Sequence, residues 1–327
     1  MSRHFIAVTC FFHSEKNACI HIERHESYWG GPDMRIIPLF LSCCLLILFF
    51  PAKGQALPGV SARNAVLLDQ ETGKILFEKN AHEKQSVASI TKVMTAIIAI
   101  ESGKMNEISK TSRKAIYTEG SSIYLEQGEK MSLEDLVYGL MLRSGNDSAV
   151  AIAEHIGESE DGFVYLMNEK AKWLGMQNTH FDNPHGLESD NHYSTAYDMG
   201  LLMRYAMSNK RFREVSGTKM HKAKTRTYAW KNKNRLLTEK YKYCTGGKTG
   251  FTKKAGRTLL TTAAKGDKEL VAVTLNASDD WNDHTQMFEY GFKQADPTFA
   301  SQSEEKSLLQ EAGSIFIRVL KAGIPNG

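Results

Sequence analysis

"ASITKVMTAIIAIESGK", residues 88–104, places a lysine at the head of an apolar run. The eight residues after Lys92 carry no charge and almost no polarity. A surface helix keeps a polar face; this segment has none and is predicted to be a helix buried on all sides. An ammonium group in such surroundings either pairs or gives up its proton. Ser89 and Lys92 are three residues apart and share one helix face. A serine beside a lysine that favours its neutral form is a nucleophile beside a base.

Outward from this helix the pattern alternates. "NAVLLDQETGKILFEKN" is two apolar runs split by a turn, a β-hairpin. The Ser89 helix should stop near Gly103. "SLEDLVYGLML" opens on Ser132 with Asp135 three residues on, as a capping box does. "DSAVAIAEHIG", "GFVYLMNEKAKWLGM" and "STAYDMGLLMRYAM" read as further helices, the last capped by Ser194 or Thr195. "GRTLLTTAAKGDKELVAVTLN" is strand, tight turn at Gly266 and Asp267, and strand. A closing helix runs through "WNDHTQMFEYGF". Strands at both ends and helices between them require a sheet that joins the chain's two ends under a helical cover.

The chain has 327 residues, 42% hydrophobic and 24% charged, an ordinary globular composition. Its net charge of +4 suits an acidic partner without requiring one. "MRIIPLFLSCCLLILFFPAKGQA" has Arg35, an apolar run from Ile36 to Phe50, and small residues at Gly54 and Ala56. That is the pattern of a secretory signal peptide, residues 34–56, cut after Ala56. The run is shorter than the roughly 20 residues a spanning helix needs. Residues 1–33 are polar and do not fit a leader, so the start is expected at Met34. Cys10, Cys19, Cys43 and Cys44 precede the cut, leaving Cys244, a buried structural thiol, and no intramolecular disulfide. The catalytic domain is expected over residues 57–294. Residues 295–327 read as a short tail or the start of an incomplete second domain.

S-x-x-K alone says little, and it occurs three times, from Ser89, Ser216 and Ser303. Only Ser89 opens a buried apolar helix, where helix-end N–H groups favour developing negative charge. "SGN" at Ser144–Asn146 lies between two helices, with a rival "SDN" at Ser189–Asn191. "KTG" at Lys248–Gly250 leads into the strand pair, on or beside a sheet edge. Each residue has a physical task. Ser89 attacks a carbonyl and Lys92 takes its proton. Ser144 would relay a proton to a departing amine, and Asn146, with an amide donor and an acceptor, is suited to holding a substrate's peptide group. Lys248 keeps Lys92 neutral and attracts a carboxylate, which Thr249 can hydrogen-bond. Gly250 lets substrate lie close to the strand. The oxyanion falls between the backbone N–H groups of Ser89 and Phe251.

The order S-x-x-K, S-x-N, K-T-G is that of penicillin-binding proteins and serine β-lactamases. The stretches "ASITKVMTA", "GSSIYLEQGEKMSLEDLVYGLMLRSGNDSAVAIAEHIG", "FDNPHGLESDNHYSTAYDMG", "KNKNRLL" and "GGKTGFTKKAGRTLLTTA" extend the likeness from Leu57 to Phe292. The sequence resembles the D-alanyl-D-alanine carboxypeptidases, low-molecular-weight penicillin-binding proteins. The resemblance selects Ser144 over Ser189. It implies an α/β (α+β) fold: an antiparallel sheet with helices on both faces and a helical subdomain, β-lactamase/transpeptidase-like. It implies removal of the terminal D-alanine from peptidoglycan stem peptides ending in D-Ala-D-Ala, with β-lactams acylating the same serine. Many members continue into a β-rich domain and a membrane-docking helix, so this chain would be shortened or unanchored; a membrane surface as partner stays open. "NASDDWNDH" stands where some relatives place an arginine for the substrate carboxylate, and its "NDH" with "DDW" resembles a subgroup from sporulating Gram-positive bacteria.

Rival readings are weaker. His180, Asp182, His185 and His192 share a loop, but no metal-ligand spacing appears and neither metal nor cofactor is expected. "NPHG" reads as a turn. The basic run Lys219–Lys242, interleaved with aromatics, could suit nucleic acid, but an exported protein rarely meets it; a face for anionic wall polymer fits better. Glu126 and Glu129 read as surface loop charges, and no carboxylate must serve as hydrolytic base. The alternatives are a β-lactamase or esterase on the same scaffold, and a silent penicillin- or muropeptide-binding protein.

Overall fold

The computed structural model describes residues 57–294. The expected leader, the doubtful residues 1–33 and the tail lie outside the described residues.

Five antiparallel strands form the main sheet: β1 (Asn64–Asp69), β2 (Ile75–Lys79), β7 (Cys244–Thr252), β8 (Gly256–Lys265) and β9 (Lys268–Ala277). Their order is β2-β1-β9-β8-β7, so the first and last strands pair, with Val66 opposite Val273. This is the joining of chain ends that the sequence requires. The hairpin between β8 and β9 turns on two residues, and Gly266 takes the φ of +60° that its first turn position needs.

Strand alternation builds two cores. Ala65 and Leu67 face one way, with Leu259, Leu270 and Ala272, onto Met287 and Phe288 of the last helix, Asp280–Lys293. Val66 and Leu68 face the other way, with Leu260, Val271 and Val273, into a core shared with the helices of the chain's middle. Helices therefore cover both faces, as expected. Each Val, Leu, Met or Phe side chain buried this way contributes about 1.5–3 kcal/mol.

The middle of the chain supplies α1 (Lys92–Glu101), β3 (Ile108–Lys110), α2 (Arg113–Ile116), β4 (Lys130–Ser132), α3 (Leu133–Tyr138), α4 (Asn146–Gly157), α5 (Glu160–Trp173), α6 (Ala196–Ser208) and α7 (Lys210–Ser216). Two short strands, β5 (Met220–His221) and β6 (Trp230–Lys231), precede β7, and Asp280–Lys293 is α8. All ten residues of α1 are buried. Ser132 caps α3 by accepting from the Asp135 amide, and Thr195, one of the two expected caps, closes α6 in the same way. Among the described residues no helix is long and apolar enough to cross a membrane.

Candidate active site

Ser89 is not in the first turn of the α-helix. Residues Ala88–Thr91 form a 3₁₀ turn, and α1 begins at Lys92. In a 3₁₀ turn residues three apart eclipse each other, so the two side chains stack more directly than in an α-helix. Lys92 Nζ lies 3.1 Å from Ser89 Oγ. It also donates to Asn146 Oδ1 at 2.7 Å and to the His185 carbonyl at 2.5 Å. Burial holds its pKa well below the ordinary lysine range, and the positive charges of Lys248 and Lys233 push it the same way.

The segment between α3 and α4 presents Ser144. A π-helical turn, Gly139–Arg143, ends at Ser144 in a left-handed conformation with φ +66°, and α4 starts at Asn146. Lys248 Nζ donates to Ser144 Oγ at 3.0 Å and to the Thr249 carbonyl at 2.7 Å. Burial, then the charge of Lys233, lowers the Lys248 pKa to about 7.

Lys248, Thr249 and Gly250 lie on β7, an edge strand, as the K-T-G position suggested. A side chain at Gly250 would start 2.9 Å from the Ser89 amide nitrogen and 2.4 Å from Thr258 Oγ1. The Ser89 turn thus lies directly against β7. Phe251, one residue on, is 67% exposed.

The sequence reading missed four contributors. The His185 carbonyl carries no residue signature, yet it holds Lys92. Lys233, in "KNKNRLL", donates to Ser121 Oγ at 3.2 Å and depresses the pKa of both site lysines. Buried Asp147 looks like an ordinary first-turn acid, but it binds the loop 122–125. His192 backs the Ser89 turn through Thr91. Its Nδ1 accepts from the Asp182 amide, which leaves Nε2 to donate to Thr91 Oγ1 at 2.8 Å. Burial takes the pKa of His192 to about 4 and that of His185 to about 3, so both rings are neutral at ordinary pH.

Other expectations change. Both ends of the Asn146 amide are occupied, because Nδ2 donates to the Glu119 carbonyl. Ser216 is buried, and its hydroxyl accepts from the Gly247 amide. The rival Ser189 donates to Asp182 within its own loop. Cys244 is half-buried rather than sealed, and burial raises its pKa to about 11. Glu129 is not a free surface charge, because it pairs with Arg226. In "NDH", Asp283 binds the Ser61 hydroxyl and the amides of Ser61 and Ala62, while His284 bridges Thr261 and Thr274. The "NPHG" segment is a turn, in which Asn183 Oδ1 accepts from the amides of His185 and Gly186.

A serine hydroxyl, a buried amine and a hydroxyl–lysine pair converge beside the sheet's edge strand. The family model described as D-alanyl-D-alanine carboxypeptidase matches residues 52–279. The chain belongs to this family of serine peptidases. It is 36% identical over 278 residues to D-alanyl-D-alanine carboxypeptidase DacF of Bacillus subtilis, covering 80% of this chain and 71% of that one. It is 34% identical over 309 residues to DacC of Escherichia coli, covering 83% and 76%. A solved D-alanyl-D-alanine carboxypeptidase from Mycobacterium tuberculosis superposes with a TM-score of 0.72 at 27% identity, covering 77% of this chain and 98% of that one.

Proposed function

We propose that this chain is an exported serine D-Ala-D-Ala carboxypeptidase whose nucleophile is Ser89 and whose base is Lys92. The observation that carries the reading is the set of partners around Lys92 Nζ. The Asn146 Oδ1 and His185 carbonyl oxygens can only accept, and a neutral amine has two N–H groups for them. Its lone pair is then left for the third neighbour, the Ser89 hydroxyl, 3.1 Å away.

Ser89 Oγ attacks the carbonyl of the penultimate D-alanine, and its proton passes to Lys92. The oxyanion rests between the backbone N–H groups of Ser89 and Phe251, an arrangement commonly worth about 10²–10³ in rate per donor. Ser144, held by Lys248, relays a proton to the leaving amine. Lys248 and Thr249 receive the terminal carboxylate. Asn146 orients Lys92 and, by exchanging the Glu119 carbonyl for the substrate's, holds the peptide group. Water then releases the acyl-enzyme. β-Lactams acylate the same serine. The catalytic domain is residues 57–294, and residues 34–56 direct export.

Incubating the protein with a pentapeptide ending in D-Ala-D-Ala should release D-alanine, and Ser89→Ala should abolish release. A fluorescent penicillin should label the wild type one to one. Labelling that persists in Ser89→Ala would remove this serine from its role, and rapid loss of the label would favour a β-lactamase.

A further inference from the structure

Tyr124 is 78% exposed, and its backbone stands at φ +61°. A bulky residue with positive φ is an outlier, because its Cβ crowds the backbone. Such positions cluster where ligands are handled. The cause of the posture is visible. The Asp147 carboxylate, itself 1% exposed, accepts from Ser122 Oγ at 2.6 Å and from the amides of Ile123 and Leu125 at 3.1 Å each. These bonds draw in the residues on either side, Ile123 and Leu125, whose side chains are buried. The Tyr124 amide donates to Ser122 Oγ at 2.7 Å, and its carbonyl accepts from Arg226, which is paired with Glu129. The residue is clamped from two sides while its ring gains almost no burial.

The loop belongs to the site. The Ser121 carbonyl accepts from the Asn146 amide at 2.6 Å, and Ser121 Oγ accepts from Lys233. Tyr124 follows three residues later, at most about 10 Å of chain away. Asp147, which shapes the loop, is the next residue after Asn146. Phe251 exposes a second ring from the strand side.

We propose that Tyr124 forms a subsite for the residue that precedes D-Ala-D-Ala, packing its ring against the aliphatic part of that residue's side chain. The inference rests on the carboxypeptidase reading above and specifies its substrate. The ring face is apolar. Lys233, which donates to Ser121 Oγ in the same loop, disfavours a bare ammonium at the chain's end, so the subsite takes a long aliphatic side chain with a neutral or anionic terminus.

The test is a selectivity ratio. kcat/KM is measured for Nα,Nε-diacetyl-L-lysyl-D-Ala-D-Ala and for N-acetyl-glycyl-D-Ala-D-Ala, which share everything but the side chain. The wild type should prefer the lysyl peptide. Tyr124→Ala should lower the lysyl-to-glycyl ratio about tenfold, the effect of returning roughly two methylenes to water. Tyr124→Phe should keep the ratio, and Tyr124→Gly, free of the backbone strain, should match the alanine variant. A ratio unchanged in Tyr124→Ala, including an equal fall on both peptides, overturns the proposal. The same ratio is read from calorimetric affinities in the Ser89→Ala background. A wild type that releases D-alanine from neither peptide would defeat the carboxypeptidase reading, while the calorimetric ratio would still decide the subsite.

Discussion

Lys248 Nζ donates to Ser144 Oγ at 3.0 Å across 104 positions of sequence. The bond joins the sheet's edge strand to the turn between α3 and α4. The Ser89 turn packs against that same strand at Gly250. Lys92 then reaches across to Asn146, two residues beyond Ser144. The site is a closed circuit whose members come from three separate elements, so displacing one of them disturbs the others.

Gly250→Ala tests that circuit. The new methyl would start 2.9 Å from the Ser89 amide nitrogen and 2.4 Å from Thr258 Oγ1. Both are closer than carbon contacts allow, so β7 must shift away from the nucleophile turn. A displacement near 1 Å costs on the order of 10²-fold in rate. Penicillin acylation should fall by about that factor, and overpacking at the strand should also cost about 1–3 kcal/mol of stability. Acylation at the wild-type rate would show that the strand and the turn are not coupled.

Asp147→Ala should destabilise the fold. The substitution leaves the amides of Ile123 and Leu125 without their buried acceptor, and the Ser122 hydroxyl without its partner. A buried donor left unpaired costs about 1–3 kcal/mol. A loss of roughly 3 kcal/mol is expected in urea unfolding. A change under about 0.5 kcal/mol would mean that the loop finds other partners.

Much of this was legible in advance. Alternation gave the β1–β2 and β8–β9 hairpins, and the Ser132 and Thr195 caps fell on residues with side-chain acceptors. S-x-x-K, S-G-N and K-T-G marked the three elements that meet. What stayed hidden has no local signature. A backbone carbonyl such as that of His185 is the same in every residue. Asp147 looks like any acid in a first helical turn. The 3₁₀ turn at Ser89 lies against β7, and periodicity does not separate it from an α-helical start.

The same limit hid a charged pair in the core. Lys170 Nζ and Glu101 Oε2 are 2.6 Å apart, with side chains 0% and 5% exposed. Tyr205 donates to Glu101, and Lys170 donates to Tyr205 at 3.1 Å. The trio ties the far end of α1 to α5 and α6. Removing one partner of a buried pair strands the other charge, at a cost of about 3–5 kcal/mol. Lys170→Met alone should therefore be severely destabilising. Lys170→Met with Glu101→Gln, which keeps an acceptor for Tyr205, should be more stable than the single Lys170→Met variant. Additive losses in a double-mutant cycle would show that the pair is not coupled.

The final prediction concerns pH. In the proposed mechanism Lys92 acts as a base, which requires its neutral form. Burial, Lys248 and Lys233 all lower its pKa. Acylation should therefore be full above that lowered value and fall as pH drops through it. Lys248 would work in the opposite sense, since in the proposed mechanism it attracts a carboxylate only while protonated, and its pKa is about 7. For a ligand carrying the carboxylate, such as penicillin, kcat/KM should fall again as pH rises past that value. An acylating ester without a carboxylate should keep the acid limb and lose the alkaline one. Lys233→Met removes a positive charge that depresses both lysines, so both limbs should move to higher pH. Stability obeys the same linkage. Between about pH 7 and the ordinary lysine value near 10.5, Lys248 is neutral when folded and protonated when unfolded. The unfolded chain then binds more protons, and stability rises with pH. The wild type should gain Tm over Lys248→Met as pH rises through this window. A difference that stays constant would mean that Lys248 keeps its proton in the folded protein, and the alkaline limb would then have to come from another group.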